Sequence, residues 1–557
     1  MAGRKAVKAG ALLAAVACLL AVAPVPVSAG PSTTEITGSG SSWAYNAVNQ
    51  WISDVQNQGL QVVFTPTGSA QGRQEYAGRT VDFAVSDIGY QGHDPLTGAD
   101  DTSDGRPYAY VPIVAGGTSF PYQIRVRGQL VTNLRLSGLT LAKIFTNHIT
   151  NWDDPEITAD NNGRQLPSIP IIPVVHSEGA GTTAQFTAWL AAEYPSLWTP
   201  YSGRDVMTEY WPRQGAQIAQ DGSDGVMNFL TSSAGNGSIG IDEYSYALAD
   251  QLPAAKIENS AGYFTLPTMY NVAVALTQAQ INTNPSSADY LLETLNNVYT
   301  YSDPRTYPLS SYSYLIEPTA ANDSTMNTSK RQTLVDWMSY SLCSGQAEIG
   351  PIGYSALPVN LVEAAYQQIG KQHTADPNVQ LTGLNINNCD NPTFDPSNPN
   401  LNFLAQIAPL PPSCDHVGQG PCTGNQGTEN GNPVDGKPTA GNQTAAGSAS
   451  GSGGGSSSSG GTNSAGSSST GTGSGGTGST NGSSKGGSGA SSVGLSDSSN
   501  GSSTTQPAVL NAAISLHDDS PASVIAAVGE VAAVLLLLVL SIVPALVVRS
   551  RRSRREP

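Results

Sequence analysis

The sequence predicts an α/β protein built on a mainly parallel sheet covered by helices. Three observations carry this. Short apolar runs of strand length alternate with stretches whose apolar residues recur at helical spacing. Small polar turns stand where strands end and helices begin, the arrangement of a strand-to-helix crossover sheet. The folding part, residue 30 to about residue 415, is too long for one ordinary core and suits two lobes.

The elements follow in chain order. Residues 1–29 read as a secretory signal: Arg4, Lys5 and Lys8 precede an apolar run over residues 9–23, and Val27-Ser28-Ala29 offers small residues for cleavage. Pro24 and Pro26 break the run and argue against a first membrane helix. Ala47, Val48, Trp51, Ile52 and Val55 mark one face of a helix. Residues 60–64 form a short apolar strand, Tyr76 and Ala77 close a brief helix, and residues 81–85 form the next strand. Residues 169–175 are an apolar, proline-containing strand, followed by a helix marked by Phe186, Trp189 and Leu190. Ligands of such sheets bind beyond the carboxyl ends of the strands.

Three Gly/Ser-rich turns are placed there or at a helix start: Thr37-Gly38-Ser39-Gly40-Ser41-Ser42-Trp43, Thr67-Gly68-Ser69-Ala70, and Ser177-Glu178-Gly179-Ala180-Gly181-Thr182-Thr183. Helix N-termini offer unpaired N–H groups and partial positive charge, so three converging turns would cradle a small anion. The chain has 25 Lys+Arg against 42 Asp+Glu, a net charge of −17. That balance argues against nucleic-acid binding, which relies on a basic footprint, and means an anion site cannot rest on bulk attraction.

Four cysteines remain after the signal: Cys343, Cys389, Cys414 and Cys422. In an exported chain they imply two disulfides, with three pairings open; Cys414 and Cys422 are near enough to close a small loop. No Cys-x-x-Cys spacing points to zinc, and no metal or other cofactor is expected. An enzyme would need a nucleophile elbow, a His-Glu-x-x-His helix or a phosphate loop, and none stands out. Ser86-Asp87 with His176 is the one conceivable hydrolytic set, while His93, His148 and His373 read as isolated surface or loop residues. Arg73 and Arg79 read as solvated side chains, with a reach into the anion site as the alternative.

Residues 371–423 form a cysteine-containing extension, and residues 424–506 become a Gly/Ser/Thr/Asn tract that cannot bury enough apolar surface to fold. Residues 523–548 hold an apolar run of membrane-spanning length, followed by a cytoplasmic tail, residues 549–557, with Arg549, Arg551, Arg552, Arg554 and Arg555.

The ordered landmarks resemble the phosphate-binding PstS-type proteins of ABC transporters. Besides the three turns they include Val81-Asp82-Phe83-Ala84-Val85-Ser86-Asp87, Gly222-Ser223-Asp224-Gly225, Gly237-Ser238-Ile239-Gly240 and Gly353-Tyr354-Ser355-Ala356-Leu357-Pro358. The resemblance implies a two-lobed type II periplasmic-binding-protein fold over residues 30–370. One lobe would hold residues 30–116 and 267–370, the other residues 117–266. It implies a monomeric exported domain that binds inorganic phosphate or a similar oxyanion and serves a membrane permease, without catalysis. Carried over by position, the contacts fall on Ser42, Trp43, Ser69, Asp87, Gly181 and Thr182. Asp87 would accept the proton of hydrogen phosphate and thereby reject sulfate. The third turn departs from the pattern: His176 stands where the family has Arg, Glu178 replaces Asp, and Ala180 replaces Ser. His176 is the candidate substitute cation. The departure leaves open weaker phosphate binding, a related oxyanion, or a surface protein that kept the fold and lost the small ligand.

Overall fold

The computed structural model describes residues 34–93, 100–386, 389–394 and 401–422. The expected signal, low-complexity tract, membrane span and basic tail all lie outside the described residues. Among the described residues no helix is long and apolar enough to cross a membrane.

The chain opens with β1 (Ile36–Gly40), α1 (Tyr45–Gln56), β2 (Val62–Thr65), α2 (Ser69–Ala77) and β3 (Phe83–Ser86), then a long strand β4 (Tyr108–Ser119). A second set follows: β5 (Tyr122–Gln123), β6 (Arg135–Leu136), α3 (Gly138–Phe145), β7 (Ile172–His176), α4 (Gly181–Glu193), β8 (Ile218–Gln220), α5 (Gly222–Thr231) and β9 (Ser238–Gly240). β10 (Asp242–Glu243), β11 (Lys256–Glu258), β12 (Phe264–Thr265) and α6 (Met269–Leu276) come next. The chain then runs through β13 (Ser310–Pro318), α7 (Thr328–Ser341), α8 (Val359–Ile369) and α9 (Phe403–Ile407).

Two main sheets make the two-lobed α/β fold. The first has the order β10-β4-β13-β3-β1-β2, and the second β8-β7-β9-β5. Each has a parallel heart, β3-β1-β2 and β8-β7-β9, because a helical connection joins each of these strands to the next in sequence and carries the chain back over the face. The remaining pairs are antiparallel, so both sheets are mixed: the second keeps two parallel pairs of three, whereas in the first the antiparallel pairs outnumber the expected parallel ones. β10 closes the edge of the first sheet just after β9 of the second, tying the two sheets through one short stretch of chain. Pro173 is tolerated in β7 because β8 pairs only from Val174 onward.

The helical face expected from Ala47, Val48, Trp51 and Val55 is buried, as α1. Trp51 donates its indole N–H to the Gly345 carbonyl at 2.8 Å, so its polar edge is satisfied inside the core. Phe83 and Trp337 meet at 5.1 Å beneath the first sheet. Phe120, Phe145, Phe186 and Trp211 form the matching aromatic cluster under the second.

The cysteines pair as Cys343–Cys389 and Cys414–Cys422. The first fastens the extension beyond α8 to the end of α7. Leu404 and Ala408 then pack on Met269, Tyr270, Ala273 and Val274 of α6. Past Pro411-Pro412, the Cys414–Cys422 loop lands on the small sheet β6-β11-β12. There Lys256 and Asp415 form a buried pair at 2.8 Å, and Arg135 donates to the Cys414 carbonyl at 3.1 Å. Residues 401–422 therefore form a strap, anchored at successive points on the two-lobed fold.

Candidate functional site

The site begins with local rules at the carboxyl edge of the first sheet. After β1, Ser41 donates its N–H to the Val85 carbonyl at 2.8 Å. Its hydroxyl accepts the Ala44 N–H at 3.1 Å in the turn that leads into α1, and donates to the Asp87 carboxylate, 2.8 Å from each oxygen. After β2, Gly68 takes φ +91°, a backbone state that side chains disfavour, and its N–H reaches the Gly40 carbonyl at 2.8 Å. A Cβ at Gly68 would also come within 2.8 Å of Glu178 Cγ. Ser69, the first residue of α2, donates to Asp87 Oδ2 at 3.1 Å.

The third turn arrives from the second sheet, between β7 and α4. Its Gly179 carbonyl accepts the Ala70 N–H at 3.0 Å. Gly181 sits so close to Asp87 that a Cβ there would lie 2.0 Å from Oδ2. One turn later, Gln185 donates its amide to the Asp87 carbonyl at 2.9 Å. Ser69, Asp87 and Gly181 thus meet at one point. Ser42 and Trp43 lie next to Ser41 at the start of α1, and Thr182 next to Gly181 at the start of α4. No N-cap side chain closes α2 or α4, and the buried Thr182 Oγ1 has no partner. Thr183 Oγ1 is likewise buried without one.

Sequence reasoning did not single out Ser41, Gln185 or the α5 N-terminus. Ser223 of α5 donates to the Ser42 hydroxyl at 3.1 Å, and Tyr246 donates to the Ser42 carbonyl at 2.7 Å. Trp43 presents its carbonyl to the Tyr354 hydroxyl at 2.6 Å. Ser41 and Ser223 stand inside motifs already visible in the sequence. Gln185 follows Gly181 by four residues, so the period of α4 puts both on one face.

The electrostatics are those of buried charge with few cations. Burial pushes the Asp87 carboxyl up; hydroxyls of Ser313, Ser41 and Ser69 and the charge of Arg73 pull it back. Asp242 is pushed by burial up to about 7, with His176 and Ser223 opposing. His176 lies buried with Nδ1 2.7 Å from Glu178 Oε1 and Nε2 3.1 Å from the Ile241 carbonyl. Burial works against its charge, but Glu178 outweighs burial and raises it, while His176 in turn lowers Glu178.

Arg73 corrects the expectation of a solvated side chain. It is fully buried, donating to Ser86 Oγ at 2.9 Å, to both Glu209 oxygens at 2.8 Å and to Asp101 at 3.0 and 3.1 Å. Its position one turn into α2 points it down the side of the sheet, where two carboxylates await. Arg79 is exposed. Ser86 Oγ is engaged by Arg73 and the Ile88 carbonyl, and His176 by Glu178 and Ile241, so the two do not form a nucleophile–base pair. A cavity of about 290 Å³ adjoins Asp87, lined also by Gln185 and Glu293. Among the described residues no cluster of three His, Cys, Asp or Glu could hold a metal ion.

The match to a family model agrees with this architecture. Residues 26–344 match the family model described as the PBP superfamily domain. The chain is 32% identical over 246 residues to the phosphate-binding protein PstS of Pasteurella multocida, covering 44% of this chain and 67% of that one. It is 29% identical over 329 residues to the phosphate-binding protein PstS 2 of Mycobacterium tuberculosis, covering 58% of this chain and 83% of that one. Among solved structures, the phosphate-binding protein from Stenotrophomonas maltophilia is similar over 62% of this chain and 99% of its own, with a TM-score of 0.46 and 15% identity.

Proposed function

The chain belongs to the PBP superfamily, and on that premise we propose that it is an extracytoplasmic receptor that captures inorganic phosphate for an ABC importer. The observation that carries this is the buried, unpartnered Thr182 hydroxyl at the uncapped start of α4, next to Gly181, which lies against the carboxylate that Ser41 and Ser69 reach. A buried hydroxyl left unsatisfied costs about 1–3 kcal/mol, which a ligand oxygen recovers. The relatives named above are phosphate-binding proteins, which supports the same ligand.

Ser42, Ser69, Gly181 and Thr182 supply hydroxyl and backbone donors to the anion's oxygens. Asp87 accepts the proton that hydrogen phosphate carries and sulfate lacks. Closure of the two lobes around the anion presents the loaded form to the permease. The signal, the low-complexity tract and the C-terminal apolar run support a receptor tethered outside the cell by one helix. A receptor that has lost the small ligand is favoured by one observation: the Ala70 N–H, a donor of the second turn, is engaged by Gly179.

Titration calorimetry of the full-length chain with phosphate and with sulfate separates the two. The receptor reading expects heat with phosphate and little with sulfate. Asp87→Asn is expected to weaken phosphate roughly tenfold or more, the range of one charge-assisted hydrogen bond, and to narrow the discrimination. No heat with phosphate defeats the reading.

A further inference from the structure

Resting on that reading, we propose that His176 is a permanent imidazolium, the substitute cation of the cradle, and that the site therefore selects the singly charged form of a tetrahedral oxyanion. The argument starts from hydrogen-bond chemistry. A peptide carbonyl can only accept, and so can an ionised carboxylate. His176 faces one of each, Ile241 O at 3.1 Å and Glu178 Oε1 at 2.7 Å. Both ring nitrogens must donate, so the ring carries two protons and one positive charge. A neutral ring opposite a protonated Glu178 is disfavoured, because the nearby His176 charge outweighs burial and holds the Glu178 carboxyl below its ordinary range.

The groups packed around the ring complete the charge pattern. Glu178 comes from its own loop, and Asp242 and the Ile241 carbonyl from the stretch of β10. The other buried cation near the site, Arg73, is held by Glu209 and Asp101. His176 and Arg73 thus stand against Asp87, Glu178, Asp242, Glu209 and Asp101. An arginine would present free N–H groups to the ligand. Here both ring N–H groups of His176 are occupied, so it acts through its field and through holding the Glu178 loop: a positioning residue.

A doubly charged anion would lie beside Asp87 with too little positive charge to offset it. A singly charged anion carries one more proton, repels Asp87 less and can donate to it. The partial charges at the starts of α2, α4 and α5, about half a unit each, suit one negative charge better than two. Raising the pH works against binding twice: the ligand loses its proton, and Asp242, which titrates at about 7, gains a charge near the cradle.

The experiment is phosphate titration of the full-length chain between about pH 5 and pH 8, with ¹⁵N spectra of histidine-labelled protein assigned through His176 variants. The expected result is binding that tightens roughly tenfold or more on acidification across that range, with both His176 ring nitrogens protonated at neutral pH. His176→Arg is expected to flatten the profile and raise affinity at the alkaline end. Should that variant not fold, His176→Gln, a donor without charge, is expected to weaken binding across the range and most at the alkaline end, steepening the profile; an unchanged profile overturns the role of the His176 charge. A neutral His176 tautomer at neutral pH overturns the imidazolium. Affinity that is constant or rises with pH overturns the selectivity. Absence of phosphate binding at every pH overturns the receptor function and the selectivity together, while the ring-nitrogen spectra still decide the charge state.

Discussion

Gly181→Ala is the sharpest probe of the cradle. The added Cβ would lie 2.0 Å from Asp87 Oδ2 and 2.6 Å from Asp87 Cβ and Cγ, where ordinary contact begins at about 3.4 Å. Asp87 cannot give way cheaply. Ser41 and Ser69 hold its carboxylate, and Gln185 holds its carbonyl. The start of α4 must back off by more than an ångström, stretching the Ala70–Gly179 and Ala180–Glu209 backbone bonds, each 3.0 Å long. Overpacking of this kind costs about 1–3 kcal/mol. That cost falls on the arrangement in which the third turn meets Asp87, so phosphate affinity should drop about five- to a hundredfold. The β1–β2–β3 pairing and the Phe83–Trp337 core are untouched, so the variant should fold. Calorimetric titration with phosphate, beside a urea melt, measures both effects. An unchanged Kd with unchanged stability would refute the placement of α4 against Asp87, and with it the cradle.

Two further outcomes follow from buried charge away from the cradle. Glu317 on β13 is fully buried, accepts from Gln372 at 2.7 Å through one oxygen, and leaves the other unpartnered. Burial pushes it up to about 8, against an unfolded value of 4.5. The folded chain keeps this proton after the unfolded chain has lost it, so stability falls as pH rises from 4.5 to about 8 and then levels. Glu317→Gln should remove that slope and exceed the parent near the upper end; urea melts at several pH values with parallel slopes in both proteins would count against it. Lys256→Met leaves Asp415 buried without its ion partner, and loss of one member of such a pair costs about 3–5 kcal/mol. The double variant Lys256→Met with Asp415→Leu should recover most of the loss, and equal destabilisation of single and double variants in urea would show that the strap is not held by this pair.

Much of the fold was legible because period and punctuation are local. The buried stripe of α1, the strands β2, β3 and β7, and the small residues opening α2 and α4 each follow from spacing that neighbouring residues impose. The mixed sheet order was not legible, since the antiparallel strands β4, β10 and β13 pair across large stretches of chain. The candidate contacts Ser69, Asp87 and Gly181 were named from motifs and do meet. Ser41 was overlooked beside Ser42 because a run of serines carries no sign of which hydroxyl turns inward. Arg73 was read as solvated because nothing nearby in sequence announces Glu209, 136 residues away.

The sequence by itself determined that this chain is acidic, carries a leader-like start and a span-like end, and has helix starts suited to an anion. Those are properties of composition and of spacing along the backbone. Only the tertiary structure decided which cysteines pair, that residues 401–422 strap back onto the fold, that Arg73 is locked by Glu209 and Asp101, and that both His176 nitrogens face acceptors. Each depends on groups far apart in sequence being brought within bonding distance in a buried, low-dielectric place, where a charge without a partner is costly and the partner therefore defines its role.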